Sequence, residues 1–203
     1  MKYQRTLLMS ASCFLLALLC SIVWGYRKDE NLAERVSPRI LRFHVLANSN
    51  CREDQNIKIQ VKSLLLEQLE AAPAASKEEL CAYITEHRDT LETYVDSRLA
   101  EEGFDYQSSI TVTESYFPTK AYGNLVLPCG VYDTVKVELG EGRGRNWWCV
   151  LYPKLCFIDS THAVIPEESV TELEKLLSRE DLNAVITDSP RIRIRFKLLE
   201  MLK

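Results

Sequence analysis

The chain has 203 residues, 46% hydrophobic and 27% charged, with a formal net charge of −4. That length and balance allow one folded unit with a sizeable core and exclude an intrinsically disordered chain. The acidic excess argues against general nucleic-acid binding, which needs a basic face.

Thr6 to Gly25, "TLLMSASCFLLALLCSIVWG", carries no charge and follows Lys2 and Arg5. About 20 apolar residues span a bilayer, whereas a cleaved signal has an apolar region of about 7–15 residues and a small-residue cleavage site. Residues 1–25 therefore read as a signal peptide or a membrane anchor, and "VWG" before Tyr26 leaves both open. In either case the basic residues ahead of the span direct the rest of the chain out of the cytoplasm. Of seven cysteines, Cys13 and Cys20 lie in this segment, so five remain for an oxidising compartment.

Residues 26–38 are polar and read as a linker, and residues 39–203 as a single domain. "RILRFHVLAN" alternates Leu41, Phe43 and Val45 with Arg42 and His44, which predicts a strand. A helix follows with Ile57, Val61, Leu64 and Leu65 on one face, Ser49 or Asn50 as cap, and Pro73 at or beyond its end. Ser76 and Glu79 have the spacing of a capping box for a second helix, whose stripe runs Leu80, Ile84, His87, Leu91 and Val95 to a stop at Gly103. "SSITVTESYF", "GNLVLP", "GVYDTVKVELG" and "NWWCVLYP" are strand-like, "EESVTELEKLLSRE" is helical, and "RIRIRFKLL" reads as an edge strand with a charged outer face. This order predicts an α+β fold with a largely antiparallel sheet and two to three helices after the N-terminal apolar one.

"LGEGRGRNWWCVLYPKLCF", Leu139 to Phe157, concentrates the unusual residues. Gly140, Gly142 and Gly144 invite a phosphate-loop reading, but such a loop leads from a strand into a helix, and both flanks here are strand-like. The spacing predicts a hairpin connection instead. Cys149 and Cys156 flank Pro153, which favours the chain reversal a disulfide needs. With no C-x2-C or H-x3-H pair, no metal site is expected, and no cofactor motif is present. Trp147 and Trp148 fall on opposite faces of a strand, one for the core and one for a surface patch suited to a protein partner. The alternative is an exported cell-wall hydrolase using a carboxylate pair, or Cys149 or Cys156 with His44, His87 or His162 and a carboxylate such as Asp159. No nucleophile motif supports it.

Taken together, "LRFHVLANSN", "DQNIKIQVK", "FPTKAYGN" and "LPCGVYDTVKVELGEGRGRNWWCVLYPKLCF" resemble the stage II sporulation protein R family, over about Arg39 to Glu168. The resemblance implies a signalling protein rather than an enzyme. It would be exported from the forespore into the space between the two sporulation membranes, secreted or membrane-anchored. There it would activate a membrane-embedded aspartic protease that processes pro-sigma-E. Carried over by position, the family pattern includes Ala47, Asn48, Ser49, Asp54 and Gln55, then Phe117, Pro118, Thr119, Tyr122, Gly123 and Asn124. Its last block is Gly130, Tyr132, Gly140, Gly142, Gly144, Asn146, Trp147, Trp148, Cys149, Pro153, Cys156 and Phe157. Of these, Trp147, Trp148, Asn146, the three alternate glycines, Tyr122 and Gly123 are the expected receptor-contacting residues, and Asn48, Ser49, Asp54, Gln55 and Pro118 structural ones. Asn50 stands where the family usually has aspartate, and Lys154 interrupts a usual Pro-Pro.

Overall fold

The computed structural model describes residues 2–156, 165 and 167–186. His162, Asp159, Phe157 and the expected terminal edge strand lie outside the described residues. Helix α1 runs from Lys2 to Val36, and a 3-10 turn, Ser37–Arg39, joins it to strand β1, Leu41–Leu46. Helices α2 (Arg52–Glu70), α3 (Lys77–Glu86) and α4 (Arg88–Glu101) follow. Then come β2 (Ser108–Phe117), the short β3 (Lys120–Tyr122) and β4 (Leu125–Leu127), β5 (Gly130–Leu139), β6 (Asn146–Tyr152), α5 (Glu167–Leu176) and α6 (Arg179–Val185). The fold is α+β, as the element order predicts.

The main sheet has the order β2-β5-β1-β6, and β3 and β4 form a separate two-stranded ribbon. β2 pairs antiparallel with β5, β1 parallel with β5, and β6 antiparallel with β1. The sheet is thus mixed but mostly antiparallel. Because β1 lies between β5 and β6, the glycine run is a crossover past the C-terminal end of β1, which corrects the hairpin expectation. The flanks are strands, as expected; their pairing with an element about a hundred residues upstream leaves no local trace.

Both faces of the sheet are covered. On one, Phe43, Val45, Val135, Val137 and Leu139 pack with Ile57, Val61 and Leu65 of α2, Ile84 of α3 and Val95 of α4. On the other, Phe117, Tyr132 and Val150 pack with Val36 of α1, Leu125 and Leu127 of β4, Leu173 of α5 and Val185 of α6. This second layer accounts for Arg42, fully buried on a strand position that alternation assigns to the polar face. Its guanidinium carbon lies 4.3 Å from the Phe117 ring centroid, 5.2 Å from Tyr132 and 5.6 Å from Tyr122. The quadrupoles of three ring faces replace a carboxylate as counter-charge.

The helices differ from the sequence expectation in three places, and five described ones follow α1 where two to three were expected; "EESVTELEKLLSRE" itself breaks after Leu176, where Ser178 caps α6 by accepting from the Asp181 amide. Residues 26–38, read as a linker, are helical through Val36. Asp29, Ala33 and Val36, at i, i+4 and i+7, form a buried face on this polar stretch, and Arg35 bonds Asp181 of α6 at 2.7 Å. Gly130 makes room, since a Cβ there would sit 2.7 Å from that of Ala33. The single helix expected from Ser76 to Gly103 breaks at His87, whose amide bonds the Tyr83 carbonyl at 2.9 Å and whose ring stacks on Tyr83 at 4.1 Å. Ser76 does cap α3, accepting from the Glu79 amide at 3.1 Å, whereas α2 is capped by Cys51 rather than by Ser49 or Asn50. Gly103 ends α4 at φ 82°, the left-handed conformation expected of a stop glycine.

Candidate functional site

The site residues fall into two groups, one at the crossover that leads into β6 and one along β6. The first holds the crossover. Asn48 Oδ1 accepts from the Glu141 amide at 2.9 Å, and its Nδ2 donates to Asp54 at 3.1 Å. Tyr106 donates to the other Asp54 oxygen at 2.7 Å. Gln55 donates to the Ser49 carbonyl at 2.8 Å and accepts from Lys58, whose ammonium also donates to the Arg145 carbonyl at 2.9 Å. The Gly144 and Arg143 amides donate to Ala47 and Asn48 at 2.7 and 3.1 Å. Burial alone would raise the Asp54 pKa, but the bonds from Ser49, Tyr106, Asn48 and Cys51 outweigh it and hold this carboxyl below its ordinary value. Asn48, Asp54 and Gln55 therefore clamp the glycine crossover to the β1–α2 junction.

Glycine is required where that clamp is tightest. Gly140 and Gly142 have φ of 58° and 60°. A Cβ on Gly144 would be driven into the Ser49 carbonyl oxygen and would lie 2.8 Å from Ala47. The crossover carries no phosphate-loop geometry, since it ends in β6 rather than at a helix N-terminus.

The second group lies along β6. Alternation correctly puts the tryptophans on opposite faces, but the expected split into one core and one surface residue does not occur: both are half-buried. Trp147 packs edge-on to Phe43 at 6.2 Å, and Lys62 Nζ lies 5.0 Å from its ring centroid. Trp148 packs against His44 at 5.8 Å and Phe117 at 6.2 Å, with Lys120 Nζ 5.7 Å from its ring. Each indole thus packs against the core and has a lysine over its ring. Lys62, Lys120 and Arg42 have no sequence signature; they become visible only once the strand faces are known.

Tyr122 joins the ribbon to β6. Its hydroxyl accepts from Arg42 Nη2 at 3.1 Å and lies 3.4 Å from the Trp148 carbonyl, to which it donates. Gly123, at φ 57°, makes the tight turn from β3 to β4, and Pro118 separates β2 from β3. Lys120, Ala121, Tyr122, Gly123, Asn146 to Cys149, Leu155 and Cys156 line a groove of about 330 Å³. Cys149 and Cys156 are disulfide-bonded with Cα atoms 5.3 Å apart, closing the turn at the far end of the groove. His44 projects to the face opposite Cys149, whose strand partner is Phe43. With its sulfur in a disulfide and that histidine across the sheet, Cys149 is not set up as a thiolate nucleophile.

A family model for stage II sporulation protein R matches residues 37–162. The stage II sporulation protein R of Bacillus subtilis (strain 168) is 32% identical over 165 residues, covering 80% of this chain and 72% of that protein. No solved structure matches the fold. The matched region contains both the crossover clamp and the tryptophan strand, and the chain belongs to the stage II sporulation protein R family.

Proposed function

We propose that this protein is a non-enzymatic signal, exported from the forespore, that activates the membrane-embedded aspartic protease responsible for processing pro-sigma-E. Family membership supports a role in sporulation, and the apolar N-terminal helix and the disulfide fit export. The observation that carries the reading is the pair of half-buried tryptophans on β6, each with a lysine at its ring, beside a groove built from Tyr122, Gly123 and Asn146. A half-exposed, rigidly packed indole is a common centre of binding energy in protein interfaces. Activation requires only that this surface bind the active receptor state more tightly; each tenfold shift takes about 1.4 kcal/mol of preference.

The full chain with Trp148→Ala or Trp147→Ala, expressed in sporulating cells lacking the native copy, provides the test. At least one variant should accumulate to normal level, keep its disulfide and lose pro-sigma-E processing tenfold or more. If both variants accumulate and process normally, the tryptophan surface is not the receptor contact.

A further inference from the structure

Among the described residues β6 is an edge strand: β1 pairs with one side, and no described strand pairs with the other. The Leu155 amide bonds the Val150 carbonyl at 3.2 Å, and Tyr122 bonds that of Trp148, both from the side away from β1. By the two-residue period of an antiparallel ladder, the main-chain groups of Asn146 point the same way. The Asn146 and Trp148 amides and the Asn146 carbonyl therefore face the groove between β6 and the β3–β4 ribbon. Neither tryptophan blocks this edge, because side chains stand above and below the sheet plane.

Charge says what would fit. Of the ten described residues lining the groove, the single charged one is Lys120. Lys62 sits over Trp147, and the clamp delivers Arg145 beside Lys58 immediately before Asn146. Lys120, Lys62 and Arg145 thus border the groove of a chain with net charge −4, while the acidic groups of the clamp are engaged: Asp54 is buried and hydrogen-bonded, and Glu141 is paired with Arg143.

We propose that the β6 edge receives an extended, acidic segment of the receptor's extracytoplasmic part as an added strand. The segment pairs through Asn146 and Trp148, with its carboxylates directed to Lys120 and Arg145 and its apolar side chains against the two indoles. Main-chain pairing supplies affinity and the flanking side chains specificity, as in other strand-addition complexes. The inference rests on the proposed receptor-activating function and adds the binding mode.

The test is a pair of changes at one position in the full chain, read as pro-sigma-E processing in sporulating cells. Asn146→Pro removes the outward amide but no bond to β1, whereas Asn146→Ala removes the side chain alone. With the alanine variant as the reference for loss of the side chain, the proline variant should process at least tenfold less than it; an equal level in the two would assign any effect to the side chain and overturn strand addition. Lys120→Glu, at an exposed position that does not depend on proline being tolerated, should also lose processing about tenfold, and Lys120→Arg should keep it.

If Asn146→Pro and Asn146→Ala both process normally while Trp148→Ala does not, strand addition is wrong and the receptor-binding surface stands. Normal processing by Lys120→Glu overturns the acidic character of the segment. If differently tagged full-length chains co-purify and Asn146→Pro abolishes this, the occupant is a second copy and the proposal falls.

Discussion

The two edges of the main sheet are finished in opposite ways. Along β2, helix α4 supplies carboxylates to the outward amides: Glu92 accepts from Ile110 at 2.6 Å, and Asp96 accepts from the Ser108 amide at 2.6 Å and its hydroxyl at 2.7 Å. Exposed Ser109, Thr111, Thr113 and Glu114 continue that edge. Along β6 no carboxylate among the described residues covers the strand; two tryptophans, a tyrosine hydroxyl and a disulfide turn frame it. Edges are ordinarily blunted by charge, bulges or covering elements because unpaired strands recruit others. On the proposed reading, a sheet that blunts one edge and frames the other with aromatic rings separates a stability problem from a recognition surface.

The strongest way to break the contrast is to dislodge β6 at its start. Gly144→Ala forces a Cβ against Ser49 and Ala47 in the clamp and should cost about 3 kcal/mol, at the upper end of overpacking changes. Thermal unfolding of the detergent-solubilised full chain should show it, and hydrogen exchange should place the lost protection on the crossover and β6 before β2.

A smaller effect is expected at the blunted edge. Glu92→Ala strips the Ile110 amide of a charged acceptor and should cost about 2 kcal/mol. Combining it with Asp96→Ala should add self-association, visible as a concentration-dependent increase in size, with processing retained. Loss of processing at normal protein level in the double variant would mean that the β2 edge also meets the receptor.

The smallest effect is on pH dependence beneath the open edge. Burial is the main cause that lowers the His44 pKa below 6.5 in the folded protein. The unfolded chain therefore binds this proton first, so stability is lost as pH falls from about 6.5 through the lower folded value. His44→Gln should flatten the melting-temperature profile between pH 7 and 5 relative to the parent. An unchanged slope would mean that His44 is not buried as a neutral ring.

The elements that alternate or repeat locally were legible from the residues: β1, β2, β5 and β6 by their period of two, α2 by its apolar face, and the opposite facing of Trp147 and Trp148. What escaped were contacts that depend on pairing. The crossover looks like a hairpin because nothing in "GEGRG" records that β1 lies between its flanks. His87 continues the apolar stripe across a real helix break, so periodicity alone hides it. The end of α1 was hidden by its polar composition, although Asp29, Ala33 and Val36 carry a helical spacing that could have revealed it. The clamp formed by Asn48, Asp54, Gln55, Lys58 and Tyr106 uses ordinary polar residues whose purpose appears only when the crossover lies over them.

The most direct test places a photoreactive benzoylphenylalanine at Ala121, on the lip of the β6 groove, or at Thr113 on the β2 edge. Each full-length variant is crosslinked in sporulating cells carrying the receptor protease. The account predicts a covalent adduct with the protease from Ala121, lost when Trp148 is alanine, and none from Thr113. An adduct from Thr113 alone, or one from Ala121 that is indifferent to Trp148, would contradict it.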